Sequence, residues 1–121
     1  MARILKKKLA IIGCGNIANF HVESLSSAGF KVEYAASEKN SKTIQKFAEK
    51  HRIKNYFNDP LEMIKKINNE VDAYLISTPV EDSVKYLKIL NSSNKPILLE
   101  KPGAFDYRNL LEFKNNKRIF L

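Results

Sequence analysis

Two glycines close together after an apolar segment are the first residues of this chain that could do chemistry. Gly13 and Gly15 follow the apolar run at residues 9–12, and Ala18 completes the pattern G-x-G-x-x-A. Gly13 permits a tight turn, Gly15 lets a bound group approach the backbone, and a small third residue allows a helix to pack closely on a strand. The N–H groups of a helix that begins near Asn16 would then face a diphosphate. Such glycine turns are common, so the pattern predicts a dinucleotide site only where a strand precedes it and a helix follows.

An acidic residue stands at the distance that this kind of site requires. Glu38 follows Gly15 by 23 residues, close to the roughly 20-residue offset at which a carboxylate accepts hydrogen bonds from ribose hydroxyls. This spacing favours NAD as the ligand. Lys39 leaves NADP open, because a cation beside the ribose could pair with a 2′-phosphate. The alternative interpretation is that both residues are solvated loop charges.

Two further polar groups follow apolar segments later in the chain. Thr78-Pro79 follows the fourth predicted strand and Glu100-Lys101 follows the fifth. The carboxyl ends of parallel strands line one crevice, so we expect these groups to lie near the glycine turn. A strand terminator and a surface ion pair are the structural alternatives. The predicted cofactor-binding residues are Gly13, Gly15, Asn16, Ile17, Glu38, Lys39, Thr78, Pro79, Glu100 and Lys101.

Alternating strand and helix patterns predict the elements that position these residues. Short apolar runs rich in β-branched and aromatic residues indicate buried strands, and segments with apolar residues three and four apart indicate helices between them. The predicted strands cover residues 9–12, 30–36, 55–57, 71–76, 96–99 and 118–121, the last one cut short. This order predicts an α/β fold with a doubly wound parallel sheet in three layers, the Rossmann fold. A last helix is expected at residues 106–115.

The spacing of apolar residues also predicts which face of each helix is buried. In the first helix the stripe facing the sheet is expected to be Ile17, Phe20, His21, Ser24, Leu25 and Ala28. His21 is accordingly interpreted as a core histidine. In the third helix, Asp59 caps the N-terminus ahead of Pro60. The predicted buried face of that helix is Leu61, Ile64 and Ile67.

Composition excludes several classes of function. The 121 residues suffice for one domain, and no apolar run approaches the roughly 18 residues that cross a bilayer. We therefore expect a cytoplasmic protein with no membrane partner. The net charge of +8 comes from lysines spread along the chain, which does not favour a nucleic-acid site. Cys14 is interpreted as a small filler between two glycines, and the isolated His21 and His51 predict no metal site.

Four segments of the chain follow one another in a characteristic order and spacing. They are Gly13-Cys14-Gly15-Asn16-Ile17-Ala18 with His21, Val71-Asp72-Ala73, Ser77-Thr78-Pro79 and Glu100-Lys101-Pro102. Together they resemble the glucose-fructose oxidoreductase, inositol dehydrogenase and rhizopine catabolism family (Gfo/Idh/MocA). The similarity extends from residue 9 to about residue 111, and the Glu-Lys-Pro triplet is its most specific part.

The resemblance implies an N-terminal Rossmann domain, residues 1–121 here, that binds NAD or NADP, with NAD favoured. In family members a larger α+β substrate domain follows, and that domain is absent from this chain. The resemblance further implies that Lys101 lies near the nicotinamide and is the one catalytic residue this chain contributes. It also implies a cis bond between Lys101 and Pro102. The implied activity is hydride transfer to or from a carbon of a sugar, cyclitol or sugar nucleotide.

The sequence departs from the family pattern at two positions and leaves one alternative open. Ser83 stands where many members have a histidine, and Glu38 stands in place of the commoner aspartate. We expect a full-length oxidoreductase of which this chain alone is not catalytically complete, and we expect homo-oligomers. The alternative is a stand-alone, non-catalytic module that binds or senses a dinucleotide.

Overall fold

The computed structural model describes residues 7–38, 41–100 and 117–120. Strands and helices alternate along the chain as the sequence predicts. The elements are β1 (Lys7–Ile12), α1 (Asn16–Ser27), β2 (Phe30–Ala36), α2 (Ser41–His51), β3 (Asn55–Phe57), α3 (Pro60–Ile67), β4 (Ala73–Ile76), α4 (Val80–Leu90), β5 (Ile97–Leu99) and β6 (Ile119–Phe120). The predicted helix at residues 106–115 lies outside the described residues.

All six strands form one parallel sheet in the order β3-β2-β1-β4-β5-β6. The order reverses between β1 and β4, which are neighbours in the sheet although two strands and three helices separate them in sequence. A crevice forms outside the carboxyl ends of the strands at such a switch point. The prediction of a doubly wound Rossmann sheet is therefore confirmed, and β6 pairs with β5 as the sixth strand.

Two apolar cores, one on each face of the sheet, give the predicted three layers. On one face α1 and α2 cover the sheet; the buried residues include Ile11, Ala18, Val22, Ala35, Ile44 and Phe47. On the other face α3 and α4 do so, with Ile12, Met63, Ile67, Tyr74, Tyr86 and Leu87 among the buried residues. Consecutive residues of β1 point into opposite cores. This explains why the strand reads as a continuous apolar run rather than an alternating one.

The predicted buried stripe of α1 is wrong for most of its residues, although Leu25 does pack against the core. Ile17 is 50% exposed and Phe20 67% exposed, whereas Ala18 and Val22 face the sheet. Ala18 is the small third residue of the glycine pattern, and its packing against the sheet turns the helix so that the flanking apolar residues point outward. Helical spacing fits residues 18, 22 and 25 as well as the predicted set, so periodicity could not distinguish the two faces.

The predicted face of α3 is wrong in part, for a related reason. Met63 and Ile67 are buried together with Pro60, while Leu61 is 37% exposed. The predicted cap is confirmed, since an oxygen of Asp59 accepts a hydrogen bond from the Leu61 amide at 3.0 Å. With the cap fixing where the helix begins, burial of Pro60 carries Leu61 to the outer side. None of the helices in the described part of the chain has the length and apolar character to span a membrane.

Candidate functional site

Main-chain hydrogen bonds continue the sheet past the ends of its central strands. The Ser77 amide donates to the Ile12 carbonyl at 2.8 Å, and the Glu100 amide donates to the Ile76 carbonyl at 3.1 Å. The segments that follow β1, β4 and β5 are therefore held side by side. The polar groups predicted at separate strand ends meet along one edge of the sheet.

These segments enclose a cleft of about 310 Å³ at the switch point. Its lining falls into two sets that differ in exposure. The buried set, called the inner wall below, is Ile12, Gly13, Cys14, Ala18, Ser37, Pro60 and Tyr86. The partly or fully exposed set, called the open rim, is Gly15, Ile17, Glu38, Ser77, Thr78, Pro79, Asp82 and Glu100.

Gly13 is required by the protein's own packing. Its φ is +108°, in the left-handed region, and its amide donates to the Ala36 carbonyl at 2.8 Å. A Cβ at this position would lie 2.3 Å from the Ser77 carbonyl oxygen. A side chain is excluded both by the backbone conformation and by this contact. The first glycine of the pattern therefore lets the strand ends of β1 and β4 approach each other.

Gly15 is glycine for a different reason. Its φ is −79°, an ordinary value, and a Cβ here would meet no atom of the described residues within 4 Å. It is the N-cap of α1, and no side-chain hydrogen bond caps that helix end, in contrast to the capped α3. The first turn of α1 also carries no acidic residue. Uncapped N–H groups facing an open cradle are suited to bind an anion such as a diphosphate.

Glu38 lies on the rim at the end of β2 and is held by α4. Lys85 Nζ donates to Glu38 Oε1 at 2.5 Å, and the same ammonium lies 5.2 Å from the centre of the Tyr86 ring. The hydrogen bond from Lys85 is the main reason that the pKa of the Glu38 carboxyl is lowered. The residue is therefore a carboxylate at neutral pH, and a carboxylate is a good acceptor for ribose hydroxyls.

Tyr86 places a buried hydroxyl on the inner wall behind Glu38. The residue is 1% exposed, and among the described residues its hydroxyl has no hydrogen-bond partner of normal geometry. Burial is the main cause of its raised pKa, and the nearby Glu38 carboxylate raises it further. The hydroxyl is thus protonated, and it interacts with the Glu38 carboxylate without the geometry of a normal hydrogen bond.

A hydroxyl pair fixes the β4–α4 connection at the middle of the rim. Thr78 Oγ1 lies 3.2 Å from Ser83 Oγ, and the buried Ser83 hydroxyl is also 3.4 Å from the Pro79 carbonyl oxygen. Ser83, which stands where the resemblance implies a histidine, thus serves to hold this turn. Like α1, α4 has no side-chain cap hydrogen bond, and its N-cap is Pro79.

Glu100 and His21 meet at the far end of the rim. His21 Nε2 contacts Glu100 Oε2, and each side chain is about one-third exposed. The interpretation of His21 as a core histidine is therefore wrong, because the rotation of α1 that buries Ala18 brings His21 to the end of β5. Glu100 lines the cleft, and its carboxylate is held by a histidine that the sequence analysis predicted to lie in the core.

The structure brings most of the predicted site residues together. The cleft is lined by Gly13, Gly15, Ile17, Glu38, Thr78, Pro79 and Glu100. Asn16 begins α1, and its side chain is not described. Lys39, Lys101 and Pro102 lie outside the described residues, so their predicted roles stay predictions.

Sequence reasoning missed the contribution of α4. Asp82 and Tyr86 line the cleft and Lys85 pairs with Glu38. No motif marks these residues. The available signal was the position of Asp82 near the start of a helix that follows Thr78-Pro79, and the four-residue spacing that puts Tyr86 on the same side. In the described part of the chain no cluster of three His, Cys, Asp or Glu side chains could hold a metal ion.

Comparisons with known proteins agree with this geometry. A family model described as an oxidoreductase family with an NAD-binding Rossmann fold (GFO_IDH_MocA) matches residues 7–118. Among curated proteins, the uncharacterised oxidoreductase YrbE from Bacillus subtilis is 27% identical over 95 residues, which are 78% of this chain and 27% of that protein.

Experimental structures of three bacterial enzymes share the fold. An oxidoreductase from Agrobacterium radiobacter with NAD+, L-tartaric acid and magnesium has a TM-score of 0.81 and 17% identity, covering 89% of this chain and 31% of that one. The WlbA dehydrogenase from Chromobacterium violaceum with NADH and UDP-GlcNAcA has a TM-score of 0.78 and 19% identity, covering 88% of this chain and 30% of that one. The scyllo-inositol dehydrogenase from Lactobacillus casei with NAD(H) and scyllo-inositol has a TM-score of 0.76 and 18% identity, covering 89% of this chain and 32% of that one. The chain thus spans about a third or less of the proteins it matches.

Proposed function

The chain belongs to the Gfo/Idh/MocA family of oxidoreductases with an NAD-binding Rossmann fold, and on that premise we propose which part of the reaction it carries. It holds NAD(H) along the cleft and presents the cofactor to a sugar, cyclitol or sugar-nucleotide carbon bearing a hydroxyl or carbonyl group. The following paragraphs assign the parts of the cofactor to the described residues.

The diphosphate occupies the cradle between Gly13 and the start of α1. The observation that carries the proposal is Gly15, where the backbone is unstrained and yet a Cβ would meet open space. Nothing among the described residues requires a glycine at this position, so we infer that a bound group which comes close to the backbone is the physical reason for it. The uncapped N–H groups of α1 supply the hydrogen bonds.

The adenosine ribose lies against Glu38, whose carboxylate accepts hydrogen bonds from the ribose diol. The lowered pKa keeps this carboxylate charged at neutral pH, and a charged acceptor both strengthens those hydrogen bonds and repels a 2′-phosphate. NAD is therefore the proposed cofactor in preference to NADP. Lys39, which could favour NADP, lies outside the described residues.

The reacting end of the cofactor lies between the β4–α4 turn and the end of β5. Thr78 and Pro79 form one side and Glu100 the other. The cofactor, when bound, donates or accepts the hydride. The resemblance assigns Lys101 the catalytic role, which fits its place directly after Glu100 in the chain. His21 holds the Glu100 carboxylate and so fixes the chain just ahead of that lysine.

The substrate class is inferred from the ligands bound in structures that share this fold. Two of the similar structures contain UDP-GlcNAcA and scyllo-inositol, and both ligands have ring hydroxyl groups. The described rim supplies one side of a substrate pocket, and we propose that a further domain supplies the other, as the resemblance implies. This part of the proposal depends on the family, not on the cleft.

Calorimetric titration of the chain with NADH tests the cofactor assignment. We expect saturable, one-to-one binding that Gly15→Ala weakens and that Gly29→Ala, a matched change at a turn with open space outside the cleft, leaves unchanged. Because the net charge of +8 attracts polyanions of any kind, pyrophosphate at equal ionic strength is the second control. Absence of saturable NADH binding up to millimolar concentration would overturn the proposal, as would equal binding by pyrophosphate.

The substrate class has a separate test. NADH formation from NAD+ is followed with scyllo-inositol, UDP-GlcNAcA and simple aldoses, using the protein with the substrate domain that the proposal requires and its Lys101→Met variant. Turnover of one of these that the variant loses supports the assignment. If NAD+ binds but none is oxidised, the carbohydrate assignment fails while the cofactor assignment stands.

A further inference from the structure

The part of the cleft that faces the adenosine ribose is built by α4 as well as by β2. Lys85 reaches Glu38 Oε1 across 47 positions of sequence, at 2.5 Å. Tyr86, the next residue, lies buried behind the same carboxylate, and its hydroxyl has no partner of normal geometry in the described part of the chain. Asp82, one turn earlier on α4, lines the cleft beside them. An exposed cation and a buried hydroxyl thus both lie close to Glu38.

The Glu38–Lys85 pair orients the carboxylate without blocking it. The two side chains are 46% and 48% exposed, so water competes with the pair and its contribution to stability is small. Lys85 uses one carboxylate oxygen, Oε1. A carboxylate has about four acceptor positions, so even with Lys85 and the Tyr86 hydroxyl beside it, Glu38 retains capacity for two ribose hydroxyls.

The charges around this pair are mostly negative. The carboxylates of Glu38, Asp82 and Asp59 all act on the Lys85 ammonium, whose pKa is raised mainly by its hydrogen bond to Glu38 and further by all three charges. Three carboxylates against one ammonium leave two negative charges uncompensated among these described residues. A 2′-phosphate would bring about two more negative charges into the same region.

We propose that α4 is a second determinant of cofactor choice: Asp82 acts with Glu38 to exclude a 2′-phosphate, and Lys85 positions Glu38 for the ribose diol. The inference rests on the proposed binding of NAD(H) and adds residues from a second element to it. Lys85 is a positioning residue in this scheme, not a ligand of a phosphate, because it already faces an excess of carboxylates.

Asp82→Asn tests the repulsion. Titrations with NADPH and NADH are compared, and we expect NADPH affinity to rise about fivefold, as removal of one charge in a partly solvated site implies. NADH affinity should stay within about twofold, since its ribose carries no phosphate. The matched control is Glu62→Gln, which removes an acidic residue from the first turn of α3, outside the cleft. It should leave the ratio of the two affinities unchanged.

Lys85→Met tests the positioning role. We expect NADH to bind about threefold more weakly, because the carboxylate loses its orientation for the ribose, and Lys85→Arg should restore most of that affinity. NADPH should lose more than this, because removal of the ammonium also increases the net negative charge that a 2′-phosphate meets. Thermal stability should not change, since the pair is exposed. A loss confined to NADPH would show instead that Lys85 binds the phosphate, and would overturn the inference.

The two proposals can fail separately. If the wild-type chain does not bind NADH, the proposed function fails and this inference with it. If NADH binds but Asp82→Asn leaves the ratio of NADPH to NADH affinity as it is in Glu62→Gln, the proposed function stands and the role of α4 is refuted.

Discussion

The inner wall and the open rim of the cleft differ in what their residues are bound to. On the wall, Gly13 has its amide and its space fully used by Ala36 and Ser77. On the rim, Gly15 faces open space and Glu38 has acceptor capacity left over. Residues of the wall therefore complete the fold, and residues of the rim have contacts still to make. One glycine-rich motif therefore contains a residue needed for the fold, Gly13, and a residue left open for a ligand, Gly15.

This difference predicts that substitutions at the two glycines affect different measurements. A change on the wall should lower the free energy of unfolding, whereas a change on the rim should lower affinity for the cofactor and leave stability intact. Gly13 and Gly15 belong to one motif, so the motif alone does not show which glycine serves folding and which serves binding. The space around each glycine and its backbone conformation distinguish the two roles.

Gly13→Ala should have the largest effect. A Cβ would lie 2.3 Å from the Ser77 carbonyl oxygen, at a φ of +108°. Overpacking and left-handed strain together predict a loss of about 3 kcal/mol in the free energy of unfolding. This corresponds to a fall of roughly 10 °C in melting temperature, measured by circular dichroism.

Gly29→Ala separates the two causes of that loss. Gly29 has a φ of +92°, but a Cβ at this position would meet no heavy atom within 4 Å in the described part of the chain, so only backbone strain applies. Its loss should be about 1 kcal/mol. Equal melting temperatures for the two variants would show that the contact with Ser77 does not constrain the wall.

Gly15→Ala should weaken NADH binding about thirtyfold while the free energy of unfolding changes by less than about 1 kcal/mol. The methyl group would occupy the cradle without touching the protein. Affinity by calorimetry and stability by chemical denaturation are measured on the same preparation. Unaltered affinity, or a loss of stability as large as that of Gly13→Ala, would remove the distinction between wall and rim.

Most of the rim and the glycine end of the wall were predictable from the sequence, but the residues that α4 contributes to both were not. Glycines, Glu38 and Thr78-Pro79 stand where apolar runs end, and topology alone carries strand ends to one crevice. Tyr86 reaches the wall only because α4 packs with a particular rotation, and the rotation of α1 was itself predicted wrongly. Helix rotation depends on which small residue packs against the sheet, as Ala18 does, and several faces of a mixed helix satisfy the same periodicity.

Glu38 should give the next largest effect, and its effect should depend on pH. Glu38→Gln is expected to weaken NAD+ binding about tenfold, because a charged acceptor is lost. Lys85 holds the pKa of this carboxyl below its usual value, so the charged form persists on acidification. Wild-type affinity for NAD+ should be constant from pH 8 to about pH 5 and fall only below that.

The control for the pH dependence is the variant itself. Glu38→Gln should show no fall in affinity that follows the carboxyl titration, measured over the range in which circular dichroism shows the chain folded. A fall in wild-type affinity already near pH 6 would mean that another group, and not Glu38, contacts the ribose.

Tyr86→Phe should give the smallest change. This variant concerns both regions of the cleft, because Tyr86 belongs to the wall while its hydroxyl lies close to Glu38 on the rim. The buried hydroxyl lacks a partner of normal geometry among the described residues, so its removal should raise the free energy of unfolding by up to about 1 kcal/mol. Affinity for NADH should fall two- to threefold, roughly the effect of losing a weak contact behind Glu38.

Tyr74→Phe is the matched control for Tyr86→Phe, because Tyr74 is equally buried but its hydroxyl donates to Asn68 Oδ1 at 2.8 Å. That variant should lose about 1 kcal/mol of stability and keep its affinity.

The pKa of Tyr86 is raised in the folded state, mainly by burial. The unfolded tyrosine therefore releases its proton first, and wild-type stability should decline more steeply above about pH 10 than that of Tyr86→Phe. If Tyr86→Phe destabilises the chain as Tyr74→Phe does, the hydroxyl has a partner and belongs wholly to the wall.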